Sequence, residues 1–102
     1  MGNNELVKGE FSRITPERAA TLAQTKIDQG YPINWIDKKL VDRLAEALKN
    51  NRWKPHASVI QISSDGILLN GLHRCRASVV SGIPLETIVV TINKPTIEGE
   101  ES

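Results

Sequence analysis

Residues 65–81, DGILLNGLHRCRASVVS, run an apolar stretch through Asn70-Gly71 directly into a helical pattern, leaving no room for a loop between strand and helix. A strand that delivers a glycine into a helix start exposes several unpaired backbone N–H groups, and the helix dipole adds about half a positive charge there. Such an end attracts phosphate. Asn70, Gly71, Leu72, His73 and Arg74 form this junction, Gly71 permitting close approach of a ligand and His73 and Arg74 bringing side-chain donors in the first turn. An arginine at this end works against the dipole, so its presence asks for an anion nearby. Arg76, two residues later, projects from a different face of the helix and suits a second phosphate or an acidic neighbour. The pattern is neither GxxxxGK[ST] nor GxGxxG, and by spacing alone it also fits a His73 and Arg74 that merely cap and pair on the surface.

The flanking segments set the frame. Val7 to Ile14 reads as a short edge strand. Thr15-Pro16-Glu17 is a helix start, with a hydroxyl cap, a proline where the missing N–H costs nothing, and a carboxylate at the positive end of the dipole. The helix is expected from Pro16 to about Gln29, stopped by Gly30. Tyr31-Pro32-Ile33-Asn34 is a linker, anchored by Trp35, and Asp37 caps a second helix through Asn50 whose apolar positions are Leu40, Val41, Leu44, Ala47 and Leu48. After Trp53-Lys54-Pro55 the period changes: Ser58–Ser63 and Ile67–Leu69 make a hairpin about Ser64-Asp65-Gly66, with Trp53 as its core anchor. Leu72–Ser81 is a short helix, and Glu86–Ile92 a last strand. The fold class expected is α+β, a small mixed sheet with helices, in a single domain over residues 6–94; an acidic tail, 95–102, is expected to be disordered.

The 102 residues suffice for one core and carry 13 Lys+Arg against 12 Asp+Glu, a formal charge of +1. A dedicated non-specific nucleic-acid binder carries a large basic excess, so any DNA role must rest on a local patch or a partner. Cys75 is the only cysteine, which fits a reducing compartment and reads as a small core residue. No stretch approaches the ~18 apolar residues of a membrane span, and MGNNELVKGE lacks the features of a secretory signal, so cytoplasmic residence is expected. The two histidines and one cysteine lack metal-ligand spacing. His56 and Asp65 are accessory candidates, the first for lining the site or holding a carbonyl, the second as a turn former able to touch a metal or sugar.

NGLHRCRA, set after a hairpin and before a helix ending in SGIP, resembles the phosphate-binding box of the ParB/sulfiredoxin-like superfamily, and the chain resembles its small phage- and plasmid-type members from the ITPERAA helix through Asn51-Arg52-Trp53 to Thr87–Thr91. The resemblance implies that fold, and phosphates of CTP or ATP, with or without Mg2+, as ligand. In sulfiredoxin the box is GCHR, whose cysteine attacks the oxidised partner; Gly71, His73 and Arg74 match, but Leu72 replaces the cysteine, so reductase chemistry is not expected. In ParB proteins it is GERRxRA; Gly71, Arg74, Arg76 and Ala77 match, but Leu72 replaces the glutamate associated with metal-assisted hydrolysis.

The leading expectation is therefore a nucleotide-binding module acting with DNA or a DNA-associated partner, oligomeric or not. Two others stand beside it: a weak NTPase, nuclease or phosphotransferase, for which only His56, Asp65 or Glu86 could supply the missing acid or base, and a phage- or mobile-element-type interaction protein that inhibits a host factor without ligand chemistry.

Overall fold

The computed structural model describes residues 7–54 and 58–92. His56, the first residues of the chain and the acidic tail lie outside these, and with them the accessory role given to His56 and the expected disorder at 95–102. Within the described residues the chain runs β1 (Val7–Ile14), α1 (Pro16–Asp28), a 3-10 turn (Ile33–Trp35), α2 (Lys38–Lys49), β2 (Val59–Ser63), β3 (Leu68–Asn70), α3 (Leu72–Ser81) and β4 (Leu85–Ile92). The class is α+β, with one four-stranded mixed sheet in the order β1-β4-β2-β3.

Local chemistry sets each boundary. Thr15 Oγ1 accepts from the Arg18 N–H and Asp37 Oδ1 from the Leu40 N–H, each 3.2 Å, so both helix starts are capped as their sequences require. Gly82 ends α3 in the left-handed region at φ 73°, a backbone that favours glycine. β2 and β4 are parallel neighbours, with Ile60 opposite Val89, while β1 and β3 flank them antiparallel. Residues opposite one another share a sheet face. Ile14, Leu85, Thr87, Ile60 and Ile62 therefore point together to the helical side, where all five are buried.

Leu22 and Ala19 of α1, Ala45 and Leu48 of α2, and Leu72, Cys75 and Ala77 of α3 close the core over that face. Full burial of a leucine or isoleucine side chain is favourable by roughly 1.5–3 kcal/mol. Leu22, Ile60, Leu68 and Leu85 are buried to that extent. The opposite face bears Phe11, Ile88 and Val90, with Phe11 59% exposed.

Three boundaries or placements differ from expectation. Asn70 belongs to β3 rather than to a break after it, because it pairs with Gln61 across an irregular register. Val80, an apolar member of the α3 pattern, is half exposed, because successive helical residues point about 100° apart and Val79 takes the side packed against the core. Trp35 does not anchor the linker: it is 66% exposed. Trp53 packs against the core as expected, but its indole N–H donates to the Glu86 carbonyl of β4 at 2.8 Å and not to the hairpin.

Candidate functional site

α1 closes the open edge of β3 with side chains. Thr25 Oγ1 accepts from the Leu68 N–H at 2.9 Å, and Lys26 Nζ donates to the Leu69 carbonyl at 2.8 Å. Those contacts hold β3 so that its last residue, Asn70, is followed at once by the turn into α3. Gly71 takes φ 112°, and a Cβ placed there would meet Ile60 Cγ2 at 2.5 Å and Ile60 Cβ at 2.8 Å. Both the dihedral and the lack of space require glycine, so the junction sits directly on the central strand β2. No side chain caps the start of α3. Its first-turn N–H groups therefore keep the partial positive charge of an open helix end.

A cleft of about 380 Å³ opens against that helix start. Asn70, Gly71, Leu72, His73 and Arg74 line it from the junction, and Lys26 and Tyr31 from the end of α1 and the linker. No aspartate or glutamate belongs to its wall among the described residues. Five of the junction residues singled out in the sequence are thus brought to one cavity. Arg76 is not among its lining residues. Asp65 is exposed at the hairpin turn, where it accepts a hydrogen bond from Ser63 Oγ, and it too lies outside the cleft wall.

The side chains at the mouth are fixed by the fold. Arg74 Nη1 donates to the Val59 carbonyl at 3.0 Å; among the described residues its partner is a main-chain oxygen, not a carboxylate. One of five guanidinium N–H donors is used by that bond, and the charge is left unneutralised. His73 Nε2 accepts from the Asp37 N–H at 3.0 Å, so the ring proton resides on Nδ1. Lys26 Nζ stands 5.8 Å from the centre of the Tyr31 ring while bonded to Leu69, which holds its charge between two walls of the cleft. Arg74 also borders a second, smaller recess with Arg52, Lys54 and Trp53, again without an acidic side chain among the described residues.

Leu72, at the position where a reacting cysteine or glutamate would stand in the resembling boxes, is 4% exposed and packed into the core. Cys75, one turn on, is fully buried, and burial pushes its thiol up to about 12, against the smaller opposing pull of Arg74 and Arg18. A thiol held so firmly in its protonated form is no nucleophile at neutral pH. Among the described residues no group of three His, Cys, Asp or Glu side chains could hold a metal ion.

Lys26, Tyr31, Arg52 and Lys54 were not legible as site residues. Lys26 reads as an ordinary last-turn cation of α1, and only the long-range pairing of α1 with β3 turns it inward. Arg52 and Lys54 flank Trp53, an aromatic between two cations just before the hairpin, which is the one local signal the sequence offered. The chain matches no protein-family model, no curated protein and no solved structure.

Proposed function

We propose that the protein binds the phosphates of a nucleotide at the start of α3. The observation that carries this reading is a cleft of about 380 Å³ whose wall joins an uncapped helix start to Lys26, His73 and Arg74 and, among the described residues, contains no carboxylate. Unpaired N–H groups, a dipole end and two fixed cations attract a multiply charged anion, and the partly enclosed setting weakens screening by salt. In this reading the N–H groups of residues 72–74 and the free donors of Arg74 hold oxygens of the phosphate chain, and Lys26 closes the opposite side. A nucleoside triphosphate such as CTP or ATP, with or without Mg2+, fits the charge of the site. The ParB/sulfiredoxin-like resemblance of NGLHRCRA supports the same ligand class and carries with it a role alongside DNA or a DNA-bound partner.

Binding without turnover is favoured among the described residues, because Leu72 is buried and neither Asp65 nor Glu86 reaches the cleft wall. Isothermal titration with CTP and with ATP, each with Mg2+, tests the reading. Arg74→Ala is expected to weaken binding roughly 10- to 100-fold, the worth of charge-assisted hydrogen bonds. If neither nucleotide binds the wild-type protein at millimolar concentration, the proposal is lost.

A further inference from the structure

Tyr31-Pro32-Ile33-Asn34-Trp35 contains two aromatic residues, of which Trp35 is the one expected to anchor the linker. Tyr31 is partly buried against the core cluster, but Trp35 is 66% exposed and Ile33 67%. An indole left so open forfeits much of the gain from its burial, so its exposure asks for a reason. Nor is the ring on a loose loop. The Trp35 N–H donates to the Pro32 carbonyl and the Ile36 N–H to the Ile33 carbonyl, each at 3.0 Å, closing the 3-10 turn. The Tyr31 and Trp35 rings meet edge to face, with centroids 5.7 Å apart and an interplanar angle of 85°. Trp35 is thus presented in a set orientation, held against the Tyr31 ring while most of its surface stays open.

Its position supplies the second observation. Trp35, Tyr31, Lys26, Leu69, Gln29 and Gly30 are among the residues that line a groove of about 400 Å³. Lys26, Tyr31 and Leu69 also line the cleft at the start of α3. The two cavities therefore adjoin through these shared residues; His73 and Arg74 line only the first, at the helix start, and Trp35 only the second. A phosphate chain at the helix start and a planar heterocycle against Trp35, joined by a sugar, match the placement of Arg74 and Trp35 in adjoining cavities.

We propose that Trp35 is the stacking platform for the base of the bound nucleotide, with Tyr31 fixing its plane and the phosphates lying across Lys26 toward Gly71–Arg74. This rests on the phosphate-binding reading of the α3 cleft and narrows its ligand to a base-bearing phosphate ester, rather than an inorganic polyphosphate or a sugar phosphate. Stacking on an aromatic side chain is tolerant of base identity because every base offers a π-face, so both purine and pyrimidine nucleotides are accommodated.

The test compares ATP and CTP with sodium tripolyphosphate, which carries the charge but no base, on the full chain and on Trp35→Ala and Trp35→Phe. Because the ring is largely exposed, both variants should keep the wild-type circular dichroism and unfolding midpoint. The expected result is that Trp35→Ala weakens nucleotide binding about tenfold or more, Trp35→Phe recovers most of it, and tripolyphosphate binds all three proteins equally. Tryptophan emission should fall on addition of ATP and stay constant with tripolyphosphate. Unchanged nucleotide affinity in Trp35→Ala overturns the stacking platform while leaving phosphate binding intact, and so does an equal loss of nucleotide and tripolyphosphate, which would mark Trp35 as a structural support. If wild type binds neither ligand, the phosphate reading itself falls. A single-stranded oligonucleotide that needs Trp35 while mononucleotides do not bind would overturn the assignment in favour of a nucleic-acid strand.

Discussion

His73 Nε2 accepts the backbone N–H of Asp37 at 3.0 Å, so a side chain from the first turn of α3 is bonded to the residue that caps α2. Two helix starts are thereby fixed to one another across the cleft, and the ring that faces a ligand is oriented before any ligand arrives. Removing the acceptor with His73→Phe leaves the Asp37 N–H without its partner. The variant is expected to lose about 0.5–1.5 kcal/mol of stability in urea unfolding, the usual worth of one hydrogen bond. Two-bond nitrogen–proton spectra of wild type should show an unprotonated Nε2 and a protonated Nδ1; the opposite tautomer would contradict the Asp37 contact.

Gly71 is expected to be the least replaceable residue of the junction. An alanine methyl would meet Ile60 Cγ2 at 2.5 Å and would hold φ at 112°, where side-chain-bearing residues are strained. Backbone strain and overpacking each cost about 1–3 kcal/mol, so Gly71→Ala should destabilise by roughly 2–6 kcal/mol. Ile60→Val would leave the clash untouched, since it removes only Cδ1, whereas Ile60→Ala removes Cγ2 and leaves Cβ at 2.8 Å. A double-mutant cycle in which Gly71→Ala/Ile60→Ala loses clearly less stability than the sum of the two single variants would confirm that the contact acts locally. A Gly71→Ala protein as stable as wild type would mean that the turn at the start of α3 is not held against β2.

Cys75 sets the pH dependence of stability at the alkaline end. Its thiol is pushed up from 9.0 to about 12, chiefly by burial, with Arg74 and then Arg18 pulling the other way. Above pH 9 the unfolded chain loses this proton while the folded one retains it, so unfolding releases a proton and stability falls as pH rises. The decline should approach about 1.4 kcal/mol per pH unit between pH 9 and 12 from this group alone. Below pH 9 the thiol contributes no slope. Cys75→Ala should flatten that decline, and iodoacetamide should label wild type at pH 8 only when urea is added. Rapid labelling of the native protein would show the thiol to be accessible.

The elements were legible where local chemistry decided them. Thr15, Asp37 and Gly82 mark helix ends by capping preferences that depend on neighbours a few residues away, and α3 at Leu72–Ser81 falls where the apolar spacing puts it. The junction 70–74 was visible for the same reason, as a strand with no loop before its helix. What the sequence concealed depends on pairings far apart in the chain: Lys26 bonded to Leu69, Arg74 to Val59, His73 to Asp37. Trp35 was misread because an aromatic near a proline linker looks like a core anchor, and only the closure of the 3-10 turn, which projects the ring outward, separates the two outcomes. Arg76 was hidden in a different way, since the register of α3 told that it faced away from Arg74 but not what lay beneath it.

Arg76 Nε is buried with no hydrogen-bond partner among the described residues, and its side chain is absent from the wall of the α3 cleft. A buried donor without a partner carries a desolvation cost that a hydrophobic chain of similar length avoids. Arg76→Met should therefore leave stability within about 1 kcal/mol of wild type or raise it. Arg74→Met should behave oppositely, losing the bond to the Val59 carbonyl and, on the phosphate reading, affinity for nucleotide. Measured side by side by urea unfolding and titration with ATP, the pair separates a cation held for a ligand from one held by its stem. A loss of affinity in Arg76→Met comparable with that in Arg74→Met would place both arginines on the phosphates and require α3 to turn its second cation toward the ligand on binding.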